Sequence, residues 1–160
     1  MVEFASAAEE PDWNMMERSL GFKERRYIEE LRIITKSTAL DCVIDDKFER
    51  VIYIIKPGNM GLAIGKNGDN IRKLSGILGK RIEMVEYDEN VLSFITNMFK
   101  PAHLVSVSLT SERIDVLTEG KENLALAIGR NGATIGKAKM LVKRFFNIDE
   151  IEVSAESESA

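Results

Sequence analysis

Apolar positions recur along this chain in two matching series. Tyr27, Leu31 and Ile34 are spaced by four and then three residues, which marks one face of a helix. Cys42-Val43-Ile44 and Val51-Ile52-Tyr53-Ile54-Ile55 read as strands, split by the polar break Asp45-Asp46-Lys47. Lys56-Pro57-Gly58 closes the second strand, and a short helix runs to about Ile64. Ile71, Leu74 and Leu78 predict a further helix, and Arg81 to Glu86 a last strand. The order then repeats. Val91, Ile95 and Met98 form the next helical stripe. Val105, Val107 and Leu109 alternate with Ser106 and Ser108 as a half-buried strand, and Arg113-Ile114-Asp115-Val116 alternates after the break Thr110-Ser111-Glu112. Ile135, Ala138 and Val142 repeat the late helix, and Glu150 to Val153 the last strand. That strand comes a few residues late, so the second late helix should be about a turn longer.

The helical stripes and the phrase between them obey one displacement of 64 residues. Leu62-Ala63-Ile64-Gly65-Lys66-Asn67-Gly68 lands on Leu126-Ala127-Ile128-Gly129-Arg130-Asn131-Gly132, with a cation kept at the one position of that phrase that changes. The expected fold is α+β: two tandem units, each a three-stranded sheet packed on helices. Residues 1–22 form an acidic extension, 23–88 the first unit, 89–153 the second, and 154–160 a disordered acidic tail. Trp13, Met16 and Leu20 make a weak helical stripe in the extension. Only Tyr87-Asp88-Glu89-Asn90 joins the units, with Asp88 or Asn90 a candidate helix cap, so they should pack rigidly side by side.

Composition refines this picture in three ways. The longest apolar run, Val51 to Ile55, is far too short to span a bilayer, and the acidic start does not resemble a signal peptide. One cysteine, Cys42, fits a reducing cytosol, and a lone Cys with a lone His103 disfavours a metal site or a Cys/His catalytic pair. The net charge of −4 argues at first against nucleic acid. However, residues 1–22 hold five acids and one base and 154–160 hold two acids, leaving 21 bases against 19 acids between them. Lys56 to Arg81 has six bases and one acid, Asp69; Lys121 to Arg144 has six bases and one acid, Glu122. Each basic block surrounds one copy of the phrase.

Gly-x-x-Gly between two helices admits two readings. Glycine tolerates positive φ and close approach, so the phrase can be a tight corner and nothing more. The same geometry puts free N–H groups at a helix N-terminus, where an anion is favoured. A corner sets no rule about charge, whereas Lys66 and Arg130 are both cations. Asn67 and Asn131 add a donor and tolerate left-handed backbone. Ile64, Ile71, Ile128 and Ile135 beside the loops are ordinary core candidates or the lining of a groove.

Ile-Gly-x-x-Gly-x-x-Ile resembles the KH-domain signature, whose loop clamps about four nucleotides of single-stranded nucleic acid. A helix and a strand precede each phrase, so both copies resemble the prokaryotic-type, or type II, arrangement. Over residues 23–153 the tandem resembles the archaeal NusA-like transcription termination/antitermination factors. The resemblance implies a cytoplasmic RNA-binding protein with no cofactor, and it alone implies RNA polymerase as a further partner. Neither the N-terminal polymerase-binding domain nor the OB-type barrel of the bacterial relatives can be read in this chain. The expected site comprises Ile64, Gly65, Lys66, Asn67, Gly68 and Ile71, and Ile128, Gly129, Arg130, Asn131, Gly132 and Ile135. Arg72, Lys73, Lys137 and Lys139 would add sequence-independent attraction. Base choice would come from hydrogen bonds and groove size, since Phe145 and Phe146 read as core. The two units would offer one continuous surface to extended RNA.

Enzymatic readings find no support. The first phrase is one residue short of a P-loop and lacks its Ser/Thr, and no Gly-x-Gly-x-x-Gly follows a strand. Asp41, Asp45 and Asp46 read as ordinary solvated acids at a strand turn, and no recurring acid, His or Cys stands by the glycines. No small-molecule substrate is expected. The same loops would serve a KH protein of translation, ribosome assembly or RNA decay, or a protein-interaction module with degenerate grooves. The kept cations favour nucleic acid.

Overall fold

The computed structural model describes residues 11–13 and 20–156. Most of the acidic extension, the Trp13/Met16/Leu20 stripe as a whole and the end of the acidic tail lie outside the described residues. The chain divides into two compact units, one from Asp12 to Tyr87 and one from Asp88 onward.

The first unit runs α1 (Phe22–Thr35), β1 (Ala39–Asp45), β2 (Arg50–Ile55), α2 (Met60–Ile64), α3 (Asp69–Leu78) and β3 (Arg81–Glu86). Its sheet has the order β1-β2-β3, with β1 antiparallel and β3 parallel to the central strand. A hairpin cannot join parallel neighbours; a crossover must, and here it consists of α2, the glycine loop and α3. Every residue of β2 is buried, which is why its apolar run is continuous and not alternating. Tyr27 and Leu31 of α1 join Val51, Tyr53, Ile55, Ala63 and Leu74 in the core. The Tyr53 hydroxyl donates to the Tyr27 carbonyl at 2.8 Å, and burial pushes its phenol above the usual range.

The second unit repeats this order: α4 (Val91–Met98), β4 (Leu104–Leu109), β5 (Arg113–Thr118), α5 (Gly120–Ile128), α6 (Ala133–Phe146) and β6 (Glu150–Ala155). The sheet again pairs one antiparallel and one parallel neighbour with the central strand. Asn90 caps α4 by accepting from the Ser93 N–H at 3.0 Å, and Asp88 in turn accepts from the Asn90 N–H at 2.8 Å. α6 has 14 residues against 10 in α3, the expected extra turn. Phe94 meets Phe145 edge-on at 5.0 Å and Phe146 at 6.1 Å; Phe145 is buried in the core and Phe146 is half-buried against it.

The displacement of 64 does not extend to the strands: six residues separate the paired Ile44 and Val51, and four separate Leu109 and Ile114. Three details differ from the sequence reading. A bulge between Leu104 and Ser106 turns Val105 out to solvent, leaving Val107 and Leu109 to face the core. β6 continues through Ser154 and Ala155, because Leu117 and Thr118 extend the central strand opposite them; those two residues are not tail. Asp41 and Asp45 are buried, and only Asp46 of the three acids is exposed. Asp45 is held at 2.8 Å by Arg50, and Asp41 accepts from the Cys42 N–H at 2.9 Å.

Candidate nucleic-acid interface

Each crossover breaks at the glycine phrase in the same way. α2 ends at Gly65 and α5 at Gly129, with φ of 77° and 78°. A single 3-10 turn follows over Lys66–Gly68 or Arg130–Gly132, with Asn67 and Asn131 left-handed at φ 56° and 57°. Gly68 and Gly132, both at φ 78°, then open α3 and α6 with no side-chain cap. Asparagine is among the few non-glycine residues that adopt this backbone at small cost. The Gly68 N–H donates to the Gly65 carbonyl at 3.1 Å, and Gly132 to Gly129 at 3.1 Å. Among the described residues, the N–H groups of Lys66, Asn67, Arg130 and Asn131 donate to no protein acceptor.

The two glycines of each loop are there for different reasons. A Cβ on Gly65 would lie 2.8 Å from the Asn70 nitrogen, and one on Gly129 2.6 Å from that of Thr134. The fold alone demands those glycines. A Cβ on Gly132 would meet nothing nearer than an Ile135 methyl at 3.9 Å. Its bare face is open space, where an incoming chain can approach closely. In the first loop that face is partly occupied, with Arg72 Nη1 3.0 Å from a Cβ on Gly68. Asn70 Nδ2 also donates to the Leu62 carbonyl at 2.8 Å, tying the first turn of α3 back to α2.

Lys66 and Arg130 are exposed and make no ion pair among the described residues. Lys73 and Lys139 are exposed too. Arg72 reaches back, with Nη1 donating to the Asn67 carbonyl and Nη2 to Asp69 Oδ1, each at 2.6 Å. Lys137 differs: it is only 7% exposed, unlike its counterpart Lys73. It stands four residues before Leu141 and eight before Phe145, on the buried face of α6. Ile64 and Ile128 are exposed at the helix ends, while Ile71 and Ile135 are half-buried. The sequence reading left out Leu62 and Leu126, exposed apolar side chains one turn before the loops. Their signal was the 64-residue displacement itself, which preserves a leucine at a position that the fold leaves in water. Among the described residues, no His, Cys, Asp or Glu side chains gather into a metal-binding group.

Residues 24–115 match the KH-domain family. That match covers the first loop and ends before the second, which joins it through the internal repeat and its nearly identical backbone angles. The chain is 33% identical over 131 residues to the probable transcription termination protein NusA of Halococcus morrhuae, covering 81% of this chain and 93% of that one. It is 34% identical over 137 residues to the protein of the same name from Halobacterium salinarum, covering 84% and 97%. It is 34% identical over 122 residues to the one from Methanocaldococcus jannaschii, covering 74% and 66%. A crystal structure of APE1850 superposes with a TM-score of 0.75 at 27% identity, covering 84% of this chain and all of that one. Two type II KH folds in tandem, with the two halophile relatives 33% and 34% identical and matched over 93% and 97% of their own length, make the chain a member of the archaeal NusA-like family of KH-domain proteins.

Proposed function

We propose that this chain binds single-stranded RNA through both glycine loops, engages nascent transcript, and so modulates transcription termination or antitermination. The observation that carries this reading is a duplicated loop with the same backbone angles, free N–H groups and an exposed cation in both copies. A phosphate reaches the loop where Gly68 or Gly132 has no side chain. The N–H groups of Lys66 and Asn67, or Arg130 and Asn131, face it, and Lys66 or Arg130 supplies the charge. Ile64 with Ile71, and Ile128 with Ile135, offer apolar contact to bases, extended by Leu62 and Leu126. Lys73 and Lys139 add long-range attraction that weakens with salt. Lys137 is too buried to contribute directly. The transcription role is drawn from the relatives' names, with RNA polymerase as the partner beside which the transcript is held.

The test is fluorescence anisotropy with a short single-stranded RNA pool. Lys66→Asp/Asn67→Asp and Arg130→Asp/Asn131→Asp should each weaken binding at least tenfold, with circular dichroism unchanged. Undiminished binding by both variants would sink the reading and leave the glycines as corners.

A further inference from the structure

The two loops share a backbone but not a charge pattern, and the difference sits at two positions. Asp69 follows the first loop and Arg72 lies one turn on; the second copy has Ala133 and Gly136 there. Arg72 pairs with Asp69 at 2.6 Å while its other prong holds the Asn67 carbonyl at 2.6 Å. The guanidinium thus lies from the middle of the loop to the first turn of α3, over the bare face of Gly68. In the second copy the same face meets only an Ile135 methyl. Asp69 and Arg72 are each 64% exposed. Such a pair is weak and exchangeable, and a guanidinium fork accepts a phosphate as readily as a carboxylate.

Building on the reading that these loops clamp RNA phosphates, we infer that Asp69 is a stand-in for phosphate. It holds Arg72 across the first loop in the free protein, and an incoming backbone phosphate displaces it. The first loop is therefore gated by its own acid, and the second, lacking both residues, is open. Arg72 then gives the first clamp one cation contact that the second does not have.

The test reads the first loop alone, in the full chain carrying Arg130→Asp/Asn131→Asp, by anisotropy on the same RNA pool. Asp69→Ala should tighten binding about fivefold, the effect of removing one nearby like charge together with its competition for the guanidinium. Asp69→Asn, which keeps the side-chain shape, should act in the same direction. Arg72→Gly, copying the second loop, should weaken binding and reduce the salt slope by about 0.7. In the Arg72→Gly chain, Asp69→Ala should gain no more than about twofold, because only screened repulsion remains. Equal gains in the two backgrounds, or any loss from Asp69→Ala, overturn the gate while leaving RNA binding intact. If the second-loop variant binds nothing although wild type binds, Asp69→Ala must restore binding or the inference fails. If wild type itself binds no RNA, the underlying reading falls and takes the gate with it.

Discussion

Arg50 and Arg113 open the central strands of the two halves, and each reaches the third residue of its parallel neighbour, Glu83 or Glu152. Their surroundings differ. Arg50 is 1% exposed, bonded to buried Asp45 at 2.8 Å and to Glu83 at 2.9 Å, with the Phe48 ring 4.9 Å from its guanidinium. Arg113 is 42% exposed and pairs with Asp115 on its own strand. The longer hairpin turn of the first half supplies Phe48 as a cover, and the shorter turn of the second half has no counterpart. One ion pair has thus become an interior network in one copy and a solvated edge in the other. Repeated topology fixes where a charge sits; the local turn decides how much its removal matters.

The largest effect should come from Arg50→Ala, which strands Asp45 in the interior. A buried charge left without its partner costs about 3–5 kcal/mol. The sole tryptophan, Trp13, stacks edge-on 5.1 Å from Tyr87 in the first half, so its fluorescence in urea reports that half. Arg113→Ala should cost less than about 1 kcal/mol by circular dichroism. Similar losses for both would erase the distinction between network and edge.

The next contrast lies within a single loop. Gly129→Ala combines a left-handed backbone with a clash against the Thr134 nitrogen, whereas Gly132→Ala bears only the backbone term. Urea midpoints should separate the two by about 1–2 kcal/mol in that order. Binding should invert the ranking of what matters: Gly132→Ala should hurt RNA affinity out of proportion to its stability loss. A Gly132→Ala chain that binds normally argues that no ligand uses the open face.

The smallest effect concerns how each half begins. α1 has 14 residues and no side-chain cap at Gly21, while α4 has 8 and depends on Asn90. Asn90→Ala should cost about 1 kcal/mol, measured by thermal melting. No measurable change would mean that packing of Phe94 and Ile95, not the cap, holds the short helix.

Much of this was readable because helices and the loop share one displacement, and stripes such as Tyr27/Leu31 keep their period. The loop's backbone was legible too, since Gly and Asn at these spacings admit few conformations. What escaped depends on partners distant in sequence. Burial of Asp45 requires Arg50 and the covering Phe48, and no local pattern marks a solvated acid from a paired one. Val105 followed the alternation faithfully, but a bulge, which inserts one residue, reverses faces without altering composition. Lys137 reads by residue type as an exposed cation, whereas its spacing to Leu141 and Phe145 puts it on the buried face of the helix. Asp69 reads as the one acid in a basic block; its pairing with an Arg72 that also reaches the Asn67 carbonyl is not visible in the sequence.

The parallel neighbour in each sheet also dictates an order of assembly. β1 and β2 are a local hairpin with a short closure, so they can pair early. β3 can join only after α2, the glycine loop and α3 have been laid across the sheet. The segment proposed to meet RNA is thus also the longer closure in each half, and in pulse-labelling hydrogen exchange the amides of β3 and β6 should gain protection after those of the hairpins.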